Sequence, residues 1–199
     1  MMPPCCSTCS IARRNPMQRC SGASSDSWKR NMAIVKIEAL GKAHDVANFD
    51  CGNTDLNHWL RTTARQHQKN NTSKTFVLIE EESPTVVQGF VTMAIRDVTP
   101  KDDLPVAMAK KLPVNVAGYT LARLAVSANA QQRGYGERLL FEAMERVCQA
   151  SRLVGGFAMF VDAKDGAVDF YKKYGFIQLP NDPDILVLPI ASMPEFPNG

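Results

Sequence analysis

The sequence predicts a mixed α/β fold, in which one central sheet carries helices on both faces. Strand-like and helix-like segments follow one another in the order β-α-β-β-β-α-β-α-β-β, so strands alternate with helices in only part of the chain. The composition, 45% hydrophobic and 22% charged over 199 residues, is that of an ordinary soluble protein that can bury its own core. We therefore expect one folded domain.

The N-terminal half contains a strand, a helix and two further strands. A turn-rich segment leads into the helix, and Thr54 or Asp55 is its expected N-cap. The two later strands are joined through Ser83 and Pro84, as in a meander. The expected ranges are a strand at 34–39, a helix at 55–69, and strands at 74–81 and 87–98.

The C-terminal half alternates strands with helices. Its long helix is predicted by apolar residues at helical spacing, such as Leu140, Met144 and Val147, and Gly175 ends the helix that follows. The expected helices are a short one at 106–111, then 134–152 and 165–174. The expected strands are 119–127, 157–162, 176–179 and 185–190.

The strand at 119–127 is followed by a glycine-bearing turn and then by the long helix. We call residues 131–137 the anion loop, because backbone N–H groups at a helix start form a site suited to a pyrophosphate. Glycines there let a ligand approach the backbone closely, although ordinary turn chemistry is the alternative. The candidate ligand contacts are Gln131, Gln132, Arg133, Gly134, Tyr135, Gly136 and Glu137.

The helix predicted at 55–69 carries a basic stripe, formed by Arg61, Arg65 and Lys69 at i, i+4 and i+8. No acidic residue occurs between residues 61 and 79, so Arg61 and Arg65 are candidates for binding nucleic-acid phosphates. The alternative is a solvated helix face. Overall charge gives no support, because 18 basic and 19 acidic residues follow residue 31.

The central strand contains no carboxylate or histidine that could act as a general base. It carries Arg123, which strand alternation places on the same face as Leu121 and Ala125. An arginine at an acceptor site would repel a cation and favour an anion, whereas pairing with a nearby acid is the structural alternative. The three histidines, His44, His58 and His67, show no triad pattern and are expected on the surface or on helix faces.

Residues 1–31 are expected to be a disordered extension, and residues 32–199 to be the folded domain. The extension holds four of the six cysteines, at positions 5, 6, 9 and 20, without the second pair or histidine that a zinc site needs. We therefore expect reduced thiols and no metal. The sequence shows neither a secretory signal nor a membrane span, so a cytoplasmic location is expected.

Three motifs together resemble the GNAT family of acetyl-CoA-dependent N-acetyltransferases. They are L-A-R-L-A-V at 121–126, Q-x-x-G-x-G at 131–136 and F-Y-K-K-Y-G-F at 170–176. The resemblance covers residues 35–190 and implies the GNAT-like acyl-CoA N-acyltransferase fold, with a mixed, mostly antiparallel central sheet. It implies acetyl-CoA as the acetyl donor, held by main-chain groups of Leu124, Ala125 and Val126. It also implies Tyr171 as the acid that protonates the leaving thiolate.

Segments 49–60, 75–77 and 161–163, with the L-A-R-L-A-V strand, resemble one GNAT subgroup, the toxins of bacterial toxin–antitoxin pairs. That resemblance implies acetylation of the α-amine of aminoacyl-tRNA, which blocks translation, and a ribbon-helix-helix antitoxin as partner. Two alternatives remain: a GNAT enzyme for a small-molecule amine or a protein N-terminus, and a non-catalytic acyl-CoA-binding module. The sequence leaves homodimerisation and the choice of tRNA open.

Overall fold

In the part of the chain that the structure describes, seven strands form one sheet and five α-helices accompany it. The computed structural model describes residues 34–163 and 166–196, so the predicted extension and its four cysteines lie outside that part. The strands are β1 (Val35–Ala39), β2 (Lys74–Glu80), β3 (Gly89–Pro100), β4 (Asn115–Val126), β5 (Ala158–Asp162), β6 (Ile177–Gln178) and β7 (Ile185–Pro189). The helices are α1 (Thr54–Thr62), α2 (Ala64–Lys69), α3 (Val106–Ala109), α4 (Tyr135–Val154) and α5 (Val168–Lys172).

The sheet has the order β1-β2-β3-β4-β5-β7-β6, and β4 with β5 is its parallel pair. The other neighbouring strands pair antiparallel, so the predicted mixed, mostly antiparallel sheet is confirmed. Pairing of β4 with β5 ends where Leu121 lies opposite Val161, whereas β4 continues to Val126. The edge of β4 that faces β5 is therefore open over its last residues.

The two faces of the sheet bury different sets of core residues. Val77 packs with Trp59 and Leu60 of α1, whereas its neighbour Leu78 packs with residues of α4 such as Leu140. Successive side chains of a strand point to opposite faces, so this alternation places α1 and α4 on opposite sides. Helices on both faces were predicted, and the structure confirms them.

A β-bulge interrupts β4 at Ala122. Thr92 of β3 lies opposite Arg123 and Met93 lies opposite Leu121, so β4 has one extra residue between them. The extra residue reverses the alternation of side chains along the strand. Leu121 accordingly belongs to the α4 core and Ala125 to the α1 core. The prediction that Leu121 and Ala125 share a face was therefore wrong, because the bulge lies between them.

The helix predicted at 55–69 is two helices. The break is at Thr63, which is both the C-cap of α1 and the N-cap of α2. Two adjacent β-branched residues favour this break, and the Thr62 hydroxyl also donates to the backbone carbonyl of His58. The expected N-cap was wrong too: the side chain of Asn53 accepts from the N–H groups of Asp55 and Leu56. Asparagine is a strong N-cap residue, so the sequence did contain this signal.

Across residues 34–163 and 166–196, none of the helices combines the length and the apolarity needed to cross a lipid bilayer.

Candidate functional site

A cleft opens where β4 and β5 separate, and we call it the central cleft. Its volume is about 400 Å³. The N-terminal end of α1 and helix α5 close it on two sides. Its lining residues are Asn53, Asp55, Leu56, Leu121, Ala122, Arg123, Leu124, Val161, Asp162, Ala163, Ala167 and Tyr171. The structure thus brings Leu124, Arg123 and Tyr171, three of the residues expected to act in catalysis or binding, into one cavity.

Tyr171 projects from α5 into this cleft and is 5% exposed. The rings of Phe170 and Phe176 contact it edge to face, with centroids 5.1 and 5.6 Å away, which fixes its orientation. Among residues 34–163 and 166–196, no group is hydrogen-bonded to its hydroxyl. Burial raises the pKa of Tyr171 well above its usual value, so the hydroxyl keeps its proton and can donate it.

Arg123 lies across the cleft on the face that carries α1. Its guanidinium stands 4.3 Å from the ring centroid of Trp59, as in a cation–π contact. No carboxylate in the described residues comes within ion-pairing distance, so the structure does not show the acid pairing considered as the alternative. Burial lowers the pKa of Arg123, but arginine stays charged at neutral pH. A half-buried cation thus faces the cleft.

The anion loop joins the cleft through the open edge of β4. Gly134 occupies the N-cap of α4 at φ 78°, where a side chain would be strained, and no side chain caps this helix start. The first N–H groups of α4 are therefore available to a ligand. A groove of about 320 Å³ runs past Val126, Gln132 and Gly136. Ala125, the remaining strand residue predicted to hold the donor, is buried against α1.

Three side chains of the anion loop have partners within the protein. Tyr135 is buried and its hydroxyl donates to Oε1 of Glu80 over 2.8 Å, while Nη1 of Arg133 lies 3.4 Å from the same oxygen. Gln131 donates to the carbonyls of Cys51 and Val126, at 3.5 and 3.4 Å. Burial and then Glu80 raise the pKa of Tyr135. These contacts hold the loop in place. Tyr135 can therefore contact a ligand only through its backbone.

Helix α5 and the turn that follows it contribute residues to the groove that the sequence did not single out for binding. Phe170, Lys173 and Tyr174 line it, opposite the start of α4. Their i, i+3 and i+4 spacing, which puts them on one helix face, was the available signal. Tyr174 was interpreted as helix-end packing, and its ring does contact Phe170 and Phe141, with centroids 5.2 and 5.7 Å away. Lys173 adds a cationic side chain to the groove.

Two carboxylates reach the cleft from elements other than β4. Asp55 lies in the first turn of α1, and Asp162 ends β5. The central strand contains no carboxylate or histidine, but the cleft as a whole does contain acidic side chains. Strand pairing and helix packing bring these residues together, and spacing along the sequence could not show it.

The arginines of the basic stripe have structural partners. Arg61 donates to the carbonyl of Phe49 over 2.6 Å, and Arg65 donates to the carbonyls of Gly41 and His44, at 3.3 and 2.8 Å. Both side chains are exposed as well, so each fixes a loop and remains open to solvent. His44 is 4% exposed, and its Nδ1 accepts from the N–H of Gly41. Its predicted surface position was therefore wrong.

The described residues contain no group of three or more histidine, cysteine, aspartate or glutamate side chains placed to hold a metal ion. What the geometry offers is a donor groove at the start of α4, an open strand edge, and a buried, protonated phenol. A half-buried guanidinium completes the set. This combination suits the transfer of an acyl group to an amine, because it can hold a donor, polarise a carbonyl and protonate a leaving group.

Comparison with known proteins gives three kinds of match. A family model described as the acetyltransferase (GNAT) domain matches residues 52–185. A tRNA-acetylating toxin of Mycobacterium tuberculosis is 33% identical over 150 residues, which are 75% of this chain and 88% of that protein. A structure of AtaT complexed with acetyl-methionyl-tRNAfMet superposes with a TM-score of 0.74 and 32% identity, covering 80% of this chain and 96% of the other.

A further structural neighbour contains a donor and a partner protein. It is a tyrosine-to-phenylalanine variant of the AtaT toxin, bound to the C-terminus of the antitoxin AtaR and to acetyl-CoA. Its TM-score is 0.68 at 30% identity, and the match covers 79% of this chain and 94% of that one.

Proposed function

Since the chain belongs to the GNAT family of acetyltransferases, we propose that it transfers the acetyl group of acetyl-CoA to the α-amine of aminoacyl-tRNA and so acts as a translation-blocking toxin. The family predicted from the sequence is confirmed. The observation that carries the proposal is the central cleft, where the buried Tyr171 hydroxyl and the Arg123 guanidinium line one cavity beside an open strand edge. Among the relatives described above, one is a tRNA-acetylating toxin, and the structural neighbour AtaT is seen in complex with acetyl-methionyl-tRNAfMet.

The residues of the anion loop fit a pyrophosphate-bearing donor. Gly134 and Gly136 leave the backbone uncovered, and an added Cβ at Gly134 would meet no atom within 4 Å, so the space beside it is open to a ligand. Backbone N–H groups from Gln132 to Glu137 would hold the phosphates, and Lys173 would add positive charge. Acetyl-CoA, when bound, supplies an acetyl group activated as a thioester.

The open edge of β4 then aligns the donor. Backbone groups of Leu124, Ala125 and Val126 would pair with an extended ligand as a further strand does, and an N–H among them would stabilise charge on a carbonyl oxygen. The Tyr171 hydroxyl, held in place by Phe170 and Phe176, donates its proton to the leaving thiolate.

Arg123 is proposed as an acceptor-binding residue. It favours an acceptor with anionic groups, and it would repel a small cationic amine. An α-amine next to an ester has a pKa of about 8 or lower, so a large fraction is neutral near pH 7 and needs no strong base. The proposed acceptor therefore matches a β4 strand that carries an arginine and no base.

Labelled acetyl-CoA tests this function. We would incubate the full chain with charged tRNA, and separately with uncharged tRNA, free amines and peptides with free N-termini. Label on charged tRNA alone is expected, because only that acceptor combines phosphates with an activated α-amine. Label confined to free amines or peptides would contradict the proposal, and donor binding without any transfer would indicate a non-catalytic module.

Five further points belong to the same proposal. Residues 32–199 form the acetyltransferase domain, with residues 1–31 as an extension, and no metal takes part. The partner is a ribbon-helix-helix antitoxin, an assignment supported by the antitoxin bound to the AtaT neighbour. The chain acts in the cytoplasm, where charged tRNA is found. It is also proposed to form a homodimer, which sedimentation of the purified chain would test.

A further inference from the structure

A second cavity lies beside the central cleft, on the face of the sheet opposite α4, and we call it the rim cavity. Its volume is about 540 Å³, within the range of roughly 300–1,000 Å³ that is typical of small-molecule sites. The proposed mechanism uses none of its residues. They are Ala94, Ile95, Arg96, Asp97, Val98, Thr99, Pro100, Asp103, Thr120, Leu179, Asn181, Asp182 and Ile185.

The cavity contains a fixed, flat cation. The Arg96 guanidinium stands 4.2 Å from the ring centroid of Phe160, which is wholly buried, and its Nε donates to the Thr99 hydroxyl over 3.0 Å. Gly118 makes room for that ring, because a Cβ there would come within 2.9 Å of it. No carboxylate in the described residues forms an ion pair with Arg96. The guanidinium plane is therefore held from one side and half-exposed on the other.

The two cavities adjoin. Thr120 lines the rim cavity and Leu121, the next residue, lines the central cleft. Thr120 and Arg123 are three positions apart along β4, which corresponds to roughly 10 Å or less. Asp162 of the central cleft lies close enough to Arg96 to oppose the lowering of its pKa by burial. An acceptor whose amine enters the central cleft would thus reach the rim cavity with its adjoining part.

The charges of the rim cavity disfavour phosphate. Three carboxylates, those of Asp97, Asp103 and Asp182, outnumber the single guanidinium. Carboxylates accept hydrogen bonds from amino groups, and the exocyclic amines of adenine and cytosine are such donors. A flat guanidinium is also a stacking platform for an unpaired base. A nucleobase that carries an amino group satisfies both features.

We propose that the rim cavity binds the 3′-terminal nucleobase of the acceptor RNA, stacked on the Arg96 guanidinium and recognised through its exocyclic amino group by the acceptors of Asp103 and Asn181. This inference rests on the proposed function and adds a subsite to it. A terminal adenine, as in every tRNA, has the required chemistry. The phosphates of the RNA lie outside the cavity.

The test compares two acceptor-arm RNA hairpins, one ending in adenosine and one in purine riboside, which lacks the amino group. Binding of each uncharged hairpin to the full chain is measured by fluorescence anisotropy, and acetyl transfer to each charged hairpin by label. The adenosine hairpin is expected to bind about three- to tenfold more tightly, because one buried hydrogen bond distinguishes the two. Equal binding would overturn the inference.

Two variants locate the effect. Arg96→Lys keeps the positive charge but removes the planar guanidinium on which the base would stack. Binding of the adenosine hairpin should therefore weaken about fivefold or more. Asp103→Ala should reduce the preference between the hairpins towards unity. Asp102→Ala, an exposed neighbour outside the cavity lining, is the matched control and should keep the preference. Acetyl-CoA binding and thermal unfolding confirm that each variant folds.

Measuring RNA binding and acetyl transfer separately distinguishes a failure of the proposed function from a failure of the proposed subsite. If no charged RNA is acetylated, the proposed function fails, whereas a preference that is lost in Asp103→Ala would still support the subsite. If transfer is normal and the preference survives both cavity variants, the subsite is overturned alone.

Discussion

Among the described residues that line the central cleft, Tyr171 is the one whose side chain is both buried and able to donate a proton. We predict that Tyr171→Phe lowers the transfer rate by about 10²- to 10⁴-fold, the usual contribution of a general acid. Acetyl-CoA binding should be retained, because phenylalanine keeps the ring contacts with Phe170 and Phe176. Initial rates and calorimetric binding measure both effects. Tyr174→Phe is the matched control. If it loses as much rate as Tyr171→Phe, the role of general acid would have to be assigned to Tyr174 instead.

The pH dependence of transfer follows from the same residue. The acceptor α-amine must lose a proton, so the rate should rise with pH up to about 8. Burial raises the pKa of Tyr171 above its usual value near 10, so the protonated phenol persists and the rate should not fall again below about pH 10. An amide-linked aminoacyl acceptor survives alkaline solution and allows the measurement. A descending limb between about pH 8 and 10 would contradict a phenol as the acid.

At the scale of elements, the pairing of β4 with β5 depends on Gly118. A Cβ at this position would lie 2.6 Å from the carbonyl oxygen of Ala158 and 2.9 Å from the ring of Phe160. We predict that Gly118→Ala destabilises the protein by about 1–3 kcal/mol, as overpacking does, measured by denaturant unfolding. Gly41→Ala is the control, because its Cβ would meet only ordinary contacts at 3.7 Å. Equal stability of the two variants would show that the strands separate at little cost.

The existence and type of the major elements were predictable from periodicity, and so was the turn that leads from β4 into α4. Apolar residues at strand or helix spacing carry that information locally. The bulge at Ala122 was not predictable, because it is defined by the register with β3, which no local pattern encodes. The backbone carbonyls that accept hydrogen bonds from Arg61 and Arg65 lie 12 to 24 positions away in the sequence. Asp55 and Asp162 reach the cleft for the same non-local reason.

At the scale of the whole molecule, RNA binding cannot rest on net charge, since basic and acidic residues after residue 31 nearly balance. It must depend on local surfaces such as the basic stripe. We predict that Lys69→Glu weakens tRNA binding and reduces its salt slope by about one, as expected for one lost phosphate contact. Filter binding across a salt series measures this. An unchanged slope would make the stripe an ordinary solvated face.

The arginines of the stripe should behave differently from Lys69, because they also hold loops. Arg65→Glu is expected to weaken tRNA binding and in addition to lower the unfolding temperature, since two carbonyls lose their donor. Lys69→Glu, at an exposed position of the same helix, is the control for stability. If Arg65→Glu leaves stability unchanged, those hydrogen bonds contribute little and the side chain is free for RNA.

The contact between Trp59 and Arg123 also gives the protein an intrinsic fluorescence signal for acceptor binding. Indole emission responds to a charge close to the ring, and this ring has a guanidinium 4.3 Å from its centroid. The sequence contains one other tryptophan, Trp28, so Trp28→Phe would leave a single emitter at the acceptor side of the cleft. An anionic acceptor that draws Arg123 away from the ring would change the wavelength and the intensity of that emission. Arrival of the acceptor could thus be followed in real time, without a label and before any acetyl group has moved.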